Sequence, residues 1–294
     1  MRLMRSALVA LFVVVLVVVL LSGSGHKTKG AGSANSPGHA TTTAAGPPAT
    51  AAPAHLVAEV SPVALPQAIS RSSVAVQPDN SVLILGGLIG SGATEQSTAQ
   101  ILRFDPAAGT VATDGQLASG VHDAAAAVAG QLVVFGGGNA AASVSTVQSV
   151  NVGGRGQLVG HLPQARSDLV AVNVGGHAYV LGGYTGVSQP ASVLTTDDGS
   201  TFRDVAQLPV PVRYPGMAAT GSTIYLFGGQ TGSSQTADIQ AVDVATGTAT
   251  VIGTLPQAMS EATAWVQRGV VYLAGGKVGT ATSSSMRIPP MPCA

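Results

Sequence analysis

Leu83-Ile84-Leu85-Gly86-Gly87 is an apolar run closed by two glycines, and the same arrangement returns four more times along the chain. The copies are Val133-Val134-Phe135-Gly136-Gly137, Tyr179-Val180-Leu181-Gly182-Gly183, Tyr225-Leu226-Phe227-Gly228-Gly229 and Tyr272-Leu273-Ala274-Gly275-Gly276. Their first glycines lie 50, 46, 46 and 47 residues apart. A second marker precedes each doublet: Leu65-Pro66-Gln67-Ala68, the weaker Leu117-Ala118, Leu162-Pro163-Gln164-Ala165, Leu208-Pro209 and Leu255-Pro256-Gln257-Ala258. A third, at Asp105, Asn151, Asp197 and Asp243, recurs every 46 residues. Three independent markers that keep one period define a repeat, and missing it would misassign the whole fold.

Within one unit, Leu169 to Val172 and Ala178 to Leu181 read as short strands joined at Gly175-Gly176. A third strand follows at Ser192 to Thr195 and a fourth around Thr201 to Val205, after the Asp198-Gly199 turn. Four antiparallel strands per unit make one blade of a β-propeller, so the expected fold is all-β over residues 55–290. Composition agrees: 46% of residues are hydrophobic but only 4% aromatic, with 38 glycines, which favours many short strands and turns.

The doublet, the strand before it and turns such as Phe104-Asp105-Pro106-Ala107-Ala108-Gly109 resemble the kelch-repeat family, over roughly residues 56–289. The chain looks most like the exported, Ala-rich actinobacterial kelch proteins labelled galactose-oxidase-like. It departs from the family where an aromatic residue usually follows the turn. Val111, Leu158 and Val251 stand there, with Phe202 the nearest match, so small aliphatic residues must pack the blades. Five blades are visible. Leu56 to Val60 falls in fourth-strand position and Ser284 to Ile288 in third-strand register, so the two segments complete one mixed blade in a closed five-bladed ring. The alternative is a truncated six-bladed parent, since the family usually has six or seven blades and residues 291–294 form a tail unlike the earlier turns.

Ahead of the repeats, Arg2 and Arg5 are followed by fifteen apolar residues, Ala7 to Leu21. A basic head and an apolar run mark residues 1–25 as an export signal. As a helix the run spans about 22 Å against a hydrocarbon core of about 30 Å, which leaves a cleaved signal and an uncleaved transmembrane anchor both open. Residues 26–54, rich in Ala, Thr, Pro and Gly, carry too little bulky apolar surface to offset ordering entropy and read as a disordered linker. The protein is thus expected outside the cytoplasm, on the outer face of the membrane or secreted into the envelope.

Thirteen Lys and Arg balance thirteen Asp and Glu, and only 9% of residues are charged, which argues against nucleic acid as a partner. A single cysteine, Cys293, excludes an intramolecular disulfide and a multi-cysteine metal site. It also leaves a copper-radical oxidase without the Tyr–Cys cross-link that the galactose-oxidase resemblance would require. No cofactor and no metal are expected, and no G-x-S-x-G nucleophile or phosphate loop is present.

Counting back from the doublets gives the residue that enters each inner strand: Arg71, His122, Asp168, Tyr214 and Glu261. Scaffold positions in a repeat should be alike, so a column that differs in every copy on a polar theme suggests a binding rim. After the doublets, Tyr184, Gln230 and Lys277 extend it. The plain reading of the same residues is solvated loop positions that satisfy backbone groups. Two functions follow. One is a non-catalytic module whose mouth binds a protein segment or a glycan. The other, implied by the family resemblance, is an enzyme similar to kelch sugar epimerases or mutarotases, with Glu261 or Asp168 as acid/base and Arg71 holding a carboxylate.

Overall fold

The computed structural model describes residues 62–140 and 142–282. The expected signal or anchor (1–25), the linker (26–54), the strands at Leu56 to Val60 and Ser284 to Ile288 and the tail (291–294) lie outside these residues. Among the described residues there is no α-helix, and the repeats are sheets.

The first sheet is a meander of β1 (Ser73–Val76), β2 (Val82–Leu85), β3 (Gln100–Asp105) and β4 (Thr110–Gln116). The second is β5 (Ala125–Ala129), β6 (Gln131–Phe135), β7 (Thr146–Ser149) and β8 (Leu158–His161). The third is β9 (Ser167–Val174), β10 (His177–Tyr184), β11 (Ser192–Thr196) and β12 (Arg203–Gln207). The fourth is β13 (Gly216–Thr220), β14 (Thr223–Phe227), β15 (Asp238–Asp243) and β16 (Thr248–Thr254). The fifth comprises β17 (Ser260–Gln267), β18 (Val270–Val278) and the two-residue β19 (Ala281–Thr282). All pairings within these sheets are antiparallel.

The second strands of the second, third and fourth sheets, β6, β10 and β14, read as unbroken apolar runs because both of their faces are covered. In β10, Val180 points into the core shared with the second sheet, while Tyr179 and Leu181 point into the core shared with the fourth. The same arrangement builds four cores, one between each pair of consecutive sheets. The leucine of the second sequence marker has a physical role here. Leu117, Leu162, Leu208 and Leu255 are each buried in one of these cores, on the connection between one sheet and the next. Burying such a side chain contributes about 1.5–3 kcal/mol. Small residues dominate the facing positions: Ala125, Ala127, Ala129 and Ala178 line the core between second and third sheets, where Phe135 and Phe202 meet edge to face at 6.2 Å.

Candidate functional site

Five residues that open the inner strands have a left-handed backbone: Arg71 (φ 57°), Asp123 (49°), Asp168 (60°), Tyr214 (53°) and Glu261 (60°). This conformation costs a non-glycine residue about 1–2 kcal/mol. What it allows is a chain of backbone hydrogen bonds from sheet to sheet. The N–H of Asp123 donates to the Arg71 carbonyl at 2.9 Å, that of Asp168 to Asp123 at 2.8 Å, that of Tyr214 to Asp168 at 3.0 Å and that of Glu261 to Tyr214 at 2.9 Å.

In the second copy this place belongs to Asp123 and not to His122, a correction to the count made from the sequence. The hairpins of the third, fourth and fifth sheets leave two unpaired turn residues, Gly175-Gly176, Gly221-Ser222 and Arg268-Gly269. The second pairs Ala129 with Gln131 and leaves Gly130 alone, so the register moves by one residue. His122 falls back into line with Ser70, Ser167, Arg213 and Ser260. It bridges to Gly138, and its ring lies so close that a Cβ on Gly138 would come within 2.6 Å of Nε2. Its Nδ1 sits 2.8 Å from Ser97 Oγ.

Arg71, Asp123, Asp168, Tyr214, Glu261 and Lys277 line one cavity of about 730 Å³, together with Glu95, Ser70 and Ser72. Arg71 Nη2 donates to Tyr214 Oη at 3.0 Å, and Tyr214 Oη donates in turn to Asp123 Oδ2 at 3.3 Å. Arg71 Nε reaches the same carboxylate oxygen at 3.2 Å, which closes a three-residue cluster drawn from three repeats. Lys277 Nζ pairs with Glu261 Oε1 at 2.9 Å. Asp168 Oδ2 is held by Arg213 Nη1 at 3.3 Å.

Tyr184 and Gln230 are not among the cavity-lining residues. They hold Arg213: its Nε donates to Gln230 Oε1 at 3.0 Å, and its guanidinium lies 4.8 Å from the Tyr184 ring centre and 5.6 Å from that of Tyr214. Sequence reasoning missed Asp123, Glu95 and Arg213. The lone Gly130, where the hairpins of the third, fourth and fifth sheets have two turn residues, was the available signal for Asp123. Glu95 carries no repeat signal, since its loop differs in every copy.

The Asp123 side chain is only 7% exposed. Burial pushes its carboxyl up to about 7; Arg71 opposes the shift, and the nearby charges of Asp168 and Glu261 add to it. Burial, aided by Asp123 and Asp168, raises the Tyr214 phenol, so it remains a neutral donor. Burial and the Arg71 charge lower His122. Ser97, His122 and Asp123 are connected, but His122 Nε2 is 3.8 Å from Asp123 Oδ2, beyond hydrogen-bond reach, so they form no nucleophilic triad. The arrangement suits polar recognition, with one carboxyl able to give or take a proton near neutrality.

No family model matches the chain, and no curated protein matches it. Among solved structures it is similar to one titled "Structure of YjhT", at a TM-score of 0.64 and 13% sequence identity, covering 74% of this chain and 80% of that one. At that identity the likeness is one of fold. Together with the four-stranded antiparallel sheets it supports a kelch-like β-propeller.

Proposed function

We propose that this chain is an exported, non-catalytic recognition module of the kelch kind, whose mouth binds a glycan or a protein segment. The observation that carries the reading is the column at the mouth. Five different side chains occupy positions where glycine would be free of strain, and each turns toward one polar cavity. A scaffold has no use for that variety. Display outside the cell, through residues 1–25 as signal or anchor and 26–54 as linker, belongs to the same proposal.

A glycan array and a peptide pull-down with the exported part test it. The expected result is a ligand bound at micromolar concentration whose affinity falls at least about tenfold, or 1.4 kcal/mol, in Arg71→Ala with the unfolding temperature unchanged. Absence of any micromolar ligand, or equal binding by the variant, counts against it.

One observation favours a second reading, an acid/base enzyme acting on sugars. A carboxyl held near neutrality beside a phenol is suited to proton transfer, and Asp123 is such a carboxyl. Sugar-dependent exchange signals in NMR that vanish in Asp123→Asn would establish it. Their absence with a panel of free sugars would remove it.

A further inference from the structure

The carboxylates of the mouth are not partnered alike. Asp168 and Glu261 each pair with a cation from outside the left-handed column, Arg213 and Lys277. Asp123 is held by two other members of the column itself, Arg71 from the first repeat and Tyr214 from the fourth, and both contacts fall on one oxygen, Oδ2. Neither contact uses Oδ1, so the second oxygen is the one left for a proton. Among the described residues Asp123 is also the one carboxylate in ion-pair contact with Arg71. The two partners differ in freedom: the Asp123 side chain is almost wholly buried, whereas that of Arg71 is 46% exposed. A fixed group thus holds one that is free to leave.

The backbone beneath these side chains does not give. A Cβ on Gly86, Gly136, Gly182 or Gly228 would lie 2.4, 2.4, 2.5 or 2.3 Å from the carbonyl oxygen of Val121, Arg166, Val212 or Met259, respectively. Each of these carbonyls stands two residues before a member of the column, so repeat docks on repeat directly under Asp123, Asp168, Tyr214 and Glu261. A change at the mouth has to be a change of side chains.

Groups from every repeat face Asp123. Burial favours a proton on it most, Arg71 opposes that proton, and the charges of Asp168 and Glu261 favour it. Tyr214 stays a neutral donor. His122, 3.8 Å from Oδ2, is kept from charging by burial and by Arg71, and Glu95 acts on both Arg71 and His122. Arg213 and Lys277 are already engaged by Asp168 and Glu261. Hydrogen bonds to an ionised acceptor are about twice as strong as those to a neutral one. An ionised Asp123 therefore outcompetes a ligand for the guanidinium and the phenol, and a neutral one does not.

We propose that Asp123 is a proton-operated clasp of the mouth: ionised, it keeps Arg71 and Tyr214 for itself, and protonated, it yields both donors to a ligand group rich in hydrogen-bond acceptors. Binding at the mouth is then accompanied by uptake of one proton and is tighter in acid. That consequence rests on the recognition reading above; the clasp itself does not.

NMR titration of the ligand-free chain tests the clasp first. The Asp123 carboxyl carbon and the Arg71 Nε should titrate with one common midpoint, near about 7. In Asp123→Asn the Arg71 signal should be flat over the same range, and in Arg71→Ala the carboxyl midpoint should rise by about one pH unit or more. An Arg71 signal that ignores the Asp123 titration, or a midpoint unmoved in Arg71→Ala, overturns the proposal. Sulfate, an acceptor-rich probe that keeps its charge across this range, tests the release of the donors. Read at Arg71 Nε, it should bind about tenfold more tightly at pH 6 than at pH 8, and Asp123→Asn should bind it at pH 8 as the parent does at pH 6. Equal affinity at the two pH values, or no response of Arg71 at either, overturns it. Neither measurement needs a glycan or a peptide. A silent glycan array beside an intact titration removes the recognition reading alone, and a ligand bound equally at both pH values removes the clasp alone.

Discussion

Asp123 is a buried carboxyl whose folded-state pKa stands above its unfolded value, and this gives the protein a specific dependence on pH. The native state holds that proton more tightly than the unfolded chain does. Its contribution to stability is therefore fully present below about pH 4 and is lost as pH rises through about 7. Asp123→Asn keeps the site neutral throughout. Its unfolding temperature should gain on the parent between pH 4.5 and 7 and hold a constant lead above that, worth up to about 4 kcal/mol. Parallel pH profiles in thermal melts would rule this out. Arg166 makes a second case. It is fully buried between second and third sheets at the place where other repeats have Val121, Val212 and Met259. Its guanidinium donates to the Ser192 carbonyl at 3.0 Å and to the Ser192 hydroxyl, while among the described residues Nε has no hydrogen-bond partner and no carboxylate forms an ion pair with it, the charge of Asp204 acting only at longer range. Burial lowers its pKa to about 10. Arg166→Met, the residue of the fifth copy, should raise the unfolding temperature by about 2–4 °C, since a buried charge is seldom worth its desolvation. A fall would show that the hydrogen bonds to Ser192 outweigh that cost.

At the level of the sheet, the glycine doublet acts as a joint. Gly182 and Gly275 have nearly the same backbone, φ 62° and 69°, but different surroundings. Gly182→Ala drives a Cβ to 2.5 Å from the Val212 carbonyl, and the third and fourth sheets have to separate. Gly275→Ala meets open space. The first substitution should cost more than about 3 kcal/mol in denaturant titration and the second about 1 kcal/mol, the price of the left-handed backbone alone. Similar losses would mean that conformation and not docking requires the glycine. The sequence shows five equivalent doublets; only the structure shows that four of them work as joints.

Across the described residues the sheets touch mainly their immediate neighbours, so stability should be distributed as in other repeat proteins. β9 and β10 lie between two complete cores, whereas β17 and β18 have a described core on one flank only. Amide exchange should be slowest in β9 and β10 and faster in β17 and β18 by about tenfold or more. Uniform protection would show that the fifth sheet is closed on both sides. The exposed pair Val74 and Val76 marks the flank of the first sheet that, among the described residues, has no core against it.

What the sequence determined by itself is everything that repeats: the sheet as unit, the doublet at the end of its second strand, and the marker leucine between sheets. These are local and periodic, and a fivefold recurrence makes each one readable. The mouth was legible only in part. Arg71, Asp168, Tyr214, Glu261 and Lys277 can be counted from the doublets, but Asp123 replaces His122 because one hairpin turn is a residue shorter, and strand register depends on pairing across the turn. Tertiary structure alone decided that Tyr184 and Gln230 support Arg213, that burial sets the Asp123 proton near neutrality, and that among the described residues Gly275 of the fifth doublet meets no neighbouring repeat. Each depends on atoms brought together from distant repeats, and such distances are set by packing, which no single stretch of chain contains.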